Sequence, residues 1–398
     1  MATLRFRRLD GQSAIGWSMV VVLCVLLALG LGAALYMEEH GHVVTGMNNQ
    51  IVWGLPHVFA VFLIVAASGA LNLASLSSVF NRSVYKPYAR LSGLLAVSLL
   101  AGGLAVLVLD LGRPERLVVA MTNYNFRSIF AWNIFLYTGF AAIVGVYLYA
   151  MMDRVLAKNA LMVKSVGMLA FVWRLVLTTG TGSIFGFLAA RQAIHGAIMA
   201  PLFIAASFLY GLAFTLVVMA VVDRRLLTTE IAERFRGLLG IFALSVLYFT
   251  IVHHLTKFYG AGDADVEWFL LRDGGVYTAV FWIGQILCGT LLPLALLAVW
   301  RSCGAGRGLL ILASLLFLLG GLAQLYVIII ASQAYPLQLF PGVAVSSAFF
   351  DGVVTHYHPS MPELALGVGG VALALLVMTL ALRLLPFLPL NETAEEGA

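Results

Sequence analysis

Charge is scarce in this chain: Asp, Glu, Lys and Arg make up 10% of 398 residues, 62% are hydrophobic, and the mean hydropathy is +1.00. A soluble globular protein of this length could not cover its surface with so little charge, so the chain reads as a polytopic membrane protein. Cysteine is scarce as well. Cys24, Cys288 and Cys303 are scattered, with no CxxC. That excludes an iron–sulfur cluster or a zinc site built by this chain alone. The net charge of +5 flanks apolar runs without forming a basic stripe, which argues against nucleic acid as a partner. No soluble domain, low-complexity segment or internal repeat is visible.

Apolar runs of spanning length fill most of the chain. Ten are counted, near 13–36, 51–79, 90–111, 128–152, 163–188, 198–222, 237–259, 277–300, 308–331 and 363–386. The first follows Arg5, Arg7 and Arg8 and resembles a signal peptide, but it lacks a small-residue cleavage site and is read as a retained span. The expected fold is an all-α bundle of ten transmembrane helices over 13–386. A short tail, 1–12, precedes it, and a polar tail, 387–398 (ending NETAEEGA), is expected to be disordered.

Orientation comes from the basic residues. With the N-terminus inside, sixteen of the 23 fall on the inner side: Arg5, Arg7, Arg8, Arg82, Lys86, Arg90, Arg154, Lys158, Lys164, Arg224, Arg225, Arg234, Arg236, Arg301, Arg307 and Arg383. Arg113, Arg116, Arg127, Arg191, Lys257 and Arg272 fall outside, and Arg174 lies mid-span. The positive-inside rule therefore predicts both termini in the cytoplasm, and a multi-pass protein of a bacterial inner membrane.

All eight histidines then lie in the outer half: His40, His42, His57, His195, His253, His254, His356 and His358. Asp110 stands at the same level, where LDLGRPERL (Leu109–Leu117) turns a long apolar run into a charged corner and Pro114 forbids its continuation. Proton-exchanging groups are thus sorted to one face. His57, in VWGLPHVF, is expected about two turns into the second span, behind a Pro56 that loosens the helix. An ionisable group there is a site candidate by default. Arg174 would cost roughly 2.5–3.5 kcal/mol at a helix centre, so it must face the bundle interior, water or a ligand. Asn133 and Tyr137 recur at i, i+4 near the outer end of the fourth span. The hydroxyls of TTGTGS (Thr178–Ser183) read first as close helix packing.

Haem is one redox option, with His57 and His253 as facing ligands, although b-type haem bundles keep such histidines deeper and in repeated pairs. His40-x-His42 and His356-x-His358 are loop pairs without carboxylate support and weak metal signals, so no metal site is assigned. The long outer loops 112–127, 260–276 and 332–362 suit a docking surface.

Several of these stretches carry a resemblance. LDLGRPER after the third span, WGLPHVFAVFLIVAASG opening the second and NFRSIFAWNIFLY opening the fourth resemble the NrfD/polysulfide-reductase membrane-subunit family. Ten spans, ASQAYPLQLFPG and HYHPSMPE resemble its longer branch, which holds the hydrogenase subunit HybB and the sulfur-metabolism subunit DsrP, with the DsrP pattern the nearer. The resemblance implies a haem-free quinone/quinol oxidoreductase subunit, using menaquinone or ubiquinone. It implies electron exchange with a ferredoxin-like iron–sulfur subunit on the periplasmic face, alongside further redox subunits. The family's quinone-site histidine matches His57 and its helix-end acid matches Asp110. Gly54 stands where smaller members place Asn, and Arg174 and Thr178 stand where they place a tyrosine.

On this reading His57 and Asp110 are the proton-exchanging pair of a quinone site. Asn133, Tyr137 and Arg174 add hydrogen bonds, Arg113 holds Asp110 ionised, and His253 is a possible support. The rival readings are a transporter or proton-conducting subunit and a passive membrane anchor. A transporter would place its polar groups at the midplane, in broken helices of both halves.

Overall fold

The computed structural model describes residues 5–9, 14–260, 262–300, 306–337 and 352–390. Ten helices in it are long and apolar enough to cross a membrane: Gly16–His40, Leu55–Ser78, Ser83–Leu109, Ile129–Met152, Ala160–Gly186, Met199–Val222, Thr229–Tyr259, Val276–Val299, Gly306–Ala334 and Met361–Leu384, numbered here as spans 1 to 10. The protein is an all-α, multi-pass membrane protein. Span 7 starts eight residues before its expected position, because Thr228 caps it and two polar turns, with Glu230 paired to Arg234, extend the apolar run.

Spans 2–5 pack as one group and spans 6–9 as another, joined where span 6 meets spans 2 and 5. Where span 2 crosses span 6, Gly69 faces Gly211, and a Cβ on either would run into the opposite backbone, so only glycine allows the approach. Span 2 is the axis of the bundle: 94% of its most apolar window is buried, against 22% for span 1, which lies along span 10. Val21, Leu29, Leu244 and Leu255 are among the large apolar side chains left outward on spans 1 and 7, as a lipid-facing surface requires.

Residues 387–390 do not share the disorder expected for the tail. Leu388–Pro389 pairs antiparallel with Phe6–Arg7, Leu388 is fully buried, and Arg7 reaches Asp223 at 2.7 Å. The remainder of that tail, 391–398, lies outside the described residues, as do 338–351 of the long loop before span 10. An even number of spans puts Phe6 and Pro389 on the membrane side opposite His57. That side also carries Arg82, Arg154, Arg224 and Arg225 at helix ends.

Candidate functional site

Span 2 starts abruptly. Its helix begins at Leu55 with Pro56 in the first turn, where a missing N–H costs nothing, so Pro56 initiates the helix and does not loosen it. His57 accordingly sits in the first turn, not two turns in. Span 3 ends at Leu109 with Asp110 as its cap residue, and Gly112 at φ +69° turns the chain away. The His42 ring lies against Gly112 and donates Nε2–H to the Asp110 carbonyl at 3.1 Å, closing the corner.

These two helix ends bring His57 Nδ1 to 2.7 Å from Asp110 Oδ2. Asp110 is buried, with its side chain 1% exposed, while 17% of the His57 side chain remains accessible. The contact is close but off-line, so neither atom completes an aligned hydrogen bond, and Asp110 Oδ1 has no partner either. A carboxylate out of water and short of donors is costly unless a cation balances it. Among the described residues the ionisable group in contact with it is the His57 ring, placed so that the two can share a proton. Nδ1 is the ring nitrogen turned to Asp110, and Nε2 lies on the opposite edge of the ring.

Aromatic rings frame the pair. Trp53 stacks over His57 at 5.9 Å and 20°, and also meets Phe130 of span 4 and Phe185 of span 5. Phe130 is 46% exposed, so this aromatic surface runs from His57 to the outside of the bundle. Trp53 is held by Gln333 at the end of span 9. The Gln333 Oε1 accepts from the N–H groups of Val52 and Trp53, and its Nε2 donates to the Trp53 carbonyl at 3.0 Å. Arg191 donates to the Gln50 carbonyl at 2.9 Å beneath this clamp, and burial lowers its pKa. From the other side Tyr357 Oη accepts the Leu55 N–H at 2.7 Å and donates to Glu363 at 2.5 Å.

Residues 43–336 match the family described as "Polysulphide reductase, NrfD". That is most of the chain. It belongs to the NrfD family. The match takes in spans 2–9, leaving spans 1 and 10 outside it. Among curated relatives, the "Hdr-like menaquinol oxidoreductase integral membrane subunit" of Archaeoglobus fulgidus is 27% identical over 99% of this chain and 100% of its own length. A putative membrane subunit of a dimethyl sulfoxide reductase from Halobacterium salinarum is 29% identical over 100% of this chain and 96% of its own length. The "Protein NrfD" of Escherichia coli is 26% identical over 72% of this chain and 96% of its own length.

Against the NrfD pattern, the place of the missing Asn at Gly54 is explained. A Cβ there would strike Glu363 Oε1 and Tyr357 Oη, so polar groups from the span 10 side occupy that space. Arg113 is exposed at the corner, and the group that meets the Asp110 carboxylate is the His57 ring. Asn133 and Tyr137 are buried and both meet Thr181 of span 5 at 3.4 Å, while Asn133 also donates to the Gly180 carbonyl. Along span 4, Asn133 stands about one turn and Tyr137 about two turns below Phe130.

Arg174 is deeper still. It donates to the Ser68 carbonyl at 3.2 Å and lies over the Phe171 and Phe208 rings, and Thr178 bonds Ser68 beside it. Ser68 is eleven residues along span 2 from His57, about 16 Å at 1.5 Å per residue. A single quinone ring cannot reach both, so Arg174 is placed in a separate midplane cluster. His253 is also elsewhere: its Nε2–H donates to the Ala193 carbonyl at 3.0 Å, in the group of spans 6–9. The haem alternative thus has its two histidines engaged in different clusters.

Of the residues that frame the pair, Trp53, Gln333 and Tyr357 carried no periodic or charge signal, and the charge of Glu363 did not tie it to His57. Trp53 stood inside the VWGLPHVF motif, and the other three in the ASQAYP and HYHPSMPE stretches. Their roles follow only from contacts across about 280 to 300 residues.

Proposed function

We propose that this chain is the membrane subunit of a respiratory or sulfur-metabolism redox complex that exchanges electrons between the quinone pool and an iron–sulfur partner, with quinone reacting beside His57. The observation that carries the reading is the 2.7 Å contact between His57 and the buried Asp110 next to an aromatic surface open to the outside of the bundle. Two relatives are named for the same chemistry, a menaquinol oxidoreductase subunit and a menaquinone reductase subunit. Ten spans and full-length relatives support the longer, DsrP- and HybB-like branch.

The residues suit quinol as a substrate. Its ring is planar and apolar and fits against Trp53, with Phe130 lining the way from the lipid. Its hydroxyl proton needs a base, and His57 Nε2 is in place to take it, while Asp110 stabilises the imidazolium that results. In the reverse direction the same imidazolium delivers a proton to a quinone oxygen. The electron pair leaves to, or arrives from, a partner, since three scattered cysteines cannot hold a cluster. By the positive-inside rule this face is periplasmic, which puts the iron–sulfur subunit there, over loops 112–127 and 332–362.

The test is quinone-linked turnover of the intact complex with His57→Ala and Asp110→Asn. Each removes a proton-exchanging group and little packing, so turnover should fall about 10²–10⁴-fold with subunit content unchanged. Normal turnover would remove the pair from the site, and loss of assembly in both would mark it as structural.

A further inference from the structure

The end of the molecule that carries His57 holds a second buried cluster of ionisable groups, in the half built by spans 6–9. His254 Nδ1 lies 2.7 Å from Glu267 Oε2, with side chains 14% and 0% exposed. His253 precedes it on span 7, and donor atoms of all three residues lie within 4.8 Å of one another. Glu267 comes from the short helix Ala264–Trp268 in the loop after span 7.

We propose that His253, His254 and Glu267 bind a non-redox divalent transition-metal ion of the zinc class. Two imidazoles and a carboxylate are a zinc-type donor set, whose bonds of about 2.0–2.2 Å place neighbouring ligand atoms roughly 3.3 Å apart. The exclusion of a zinc site drawn above from the lack of CxxC holds only for thiolate ligation, since two imidazoles and a carboxylate need no cysteine. Side-chain rotations of about 1.5 Å or less draw in the longer separations, while the 2.7 Å His254–Glu267 contact opens by about 0.6 Å. The Glu267 Oε1 is fully buried with no hydrogen-bond partner, a polar atom that a cation would satisfy. The His253 ring is fixed by donating Nε2–H to the Ala193 carbonyl, the outer-shell bond that holds a metal-ligating histidine and leaves its other nitrogen free.

A fourth position is available. A cavity of about 20 Å³ borders His253, His254, Thr250, Gln285 and Gln324, room for one water molecule. The Gln285 Oε1 has no partner of its own and can accept from that water. The neighbouring cation, Lys257, is already neutralised: its Nζ donates to Asp263 at 2.9 Å and to His195 Nδ1 at 2.8 Å. The ion would fasten the end of span 7 to the Ala264–Trp268 helix and so fix the loop between spans 7 and 8.

The experiment uses the purified complex, stripped with chelator, reloaded with Zn²⁺, desalted and measured for zinc content and at the zinc K-edge. Wild type should retain one Zn²⁺ per chain, with nitrogen and oxygen ligands, two imidazoles and no sulfur. Glu267→Gln and His254→Ala should weaken retention by roughly 100-fold or more. A His356→Ala/His358→Ala double variant, which removes a loop pair, should retain the ion. No retained zinc in wild type, or retention unchanged in Glu267→Gln, would leave a bare His254–Glu267 pair and overturn the site. Loss in the loop variant would assign the ion to the loop instead. Where a variant fails to assemble, the wild-type K-edge decides, since fewer than two imidazoles contradicts the proposed ligands.

Discussion

Trp53 lies over the His57 ring with centroids 5.9 Å apart and planes 20° from parallel, and it is the backbone of Trp53 itself that Gln333 holds. The stack does two things at once: it limits how the imidazole can turn away from Asp110, and it extends the flat surface on which a quinone ring would rest.

Replacing Trp53 with Ala should therefore raise the KM for quinol about 3–10-fold, the range expected for one aromatic contact. Gln333→Ala, which frees the same backbone without touching the ring, should move KM in the same direction by less. Steady-state assays with a soluble quinol check both. An unchanged KM in Trp53→Ala would take the indole out of the substrate's path.

The Tyr357 phenol should make the complex sensitive to alkali. Burial and the adjacent Glu363 raise its pKa above the ordinary 10.0, so the folded state favours the neutral phenol. A raised acid contributes stability that is complete below the unfolded value and lost as pH climbs beyond it. Thermal melts should hold level to about pH 10 and then decline, and Tyr357→Phe should flatten that decline while costing about 1 kcal/mol at neutral pH for the lost hydrogen bonds. An identical alkaline decline in both proteins would exclude Tyr357 as its cause.

No haem should accompany this chain. The reduced-minus-oxidised spectrum of the purified subunit is expected to be flat in the Soret region. A reducible band belonging to this chain would transfer attention to His57 and His253 as ligands.

Protons should be exchanged with the compartment on the His57 side. Toward the opposite side the path is long, most of the ~30 Å hydrocarbon core, and Arg174 stands in it as a buried cation. Hydroxyls line part of that route, through Thr181, Thr178 and Ser68 and then Tyr147 and Ser78. Proteoliposomes with a pH dye trapped on the far side provide the measurement, and no change tracking turnover is expected. A change that survives a leak control and disappears in a Thr178/Thr181 double variant would demonstrate a path across.

The bundle was largely legible in the sequence because apolar length is a strong signal and each span had it. The pair was legible for a related reason: His57 and Asp110 are rare ionisable groups at the ends of apolar runs, where each demands an explanation. Depth was harder. Pro56 read as an interruption because its place in the first turn depends on where Gly54 and Tyr357 stop the chain, and Tyr357 is about 300 residues away. Arg174 read as a companion of His57 because both are ionisable groups in apolar spans, and only the helix rise along span 2 separates them. Gln333 is a neutral residue near a helix end, and nothing local marks it as the holder of Trp53.

The pairing of Phe6 with Pro389 has a consequence for engineering. The first and last described strands lie hydrogen-bonded side by side, and spans 1 and 10 lie together behind them. In outline the molecule is a ring with a nick in it. A short peptide joining residue 390 to residue 5 would close that ring with little distortion, and the polypeptide could then be opened afresh in a surface loop such as 153–159. A permuted protein of this kind would carry its fusion tags away from the Phe6–Pro389 corner without disturbing the opposite face.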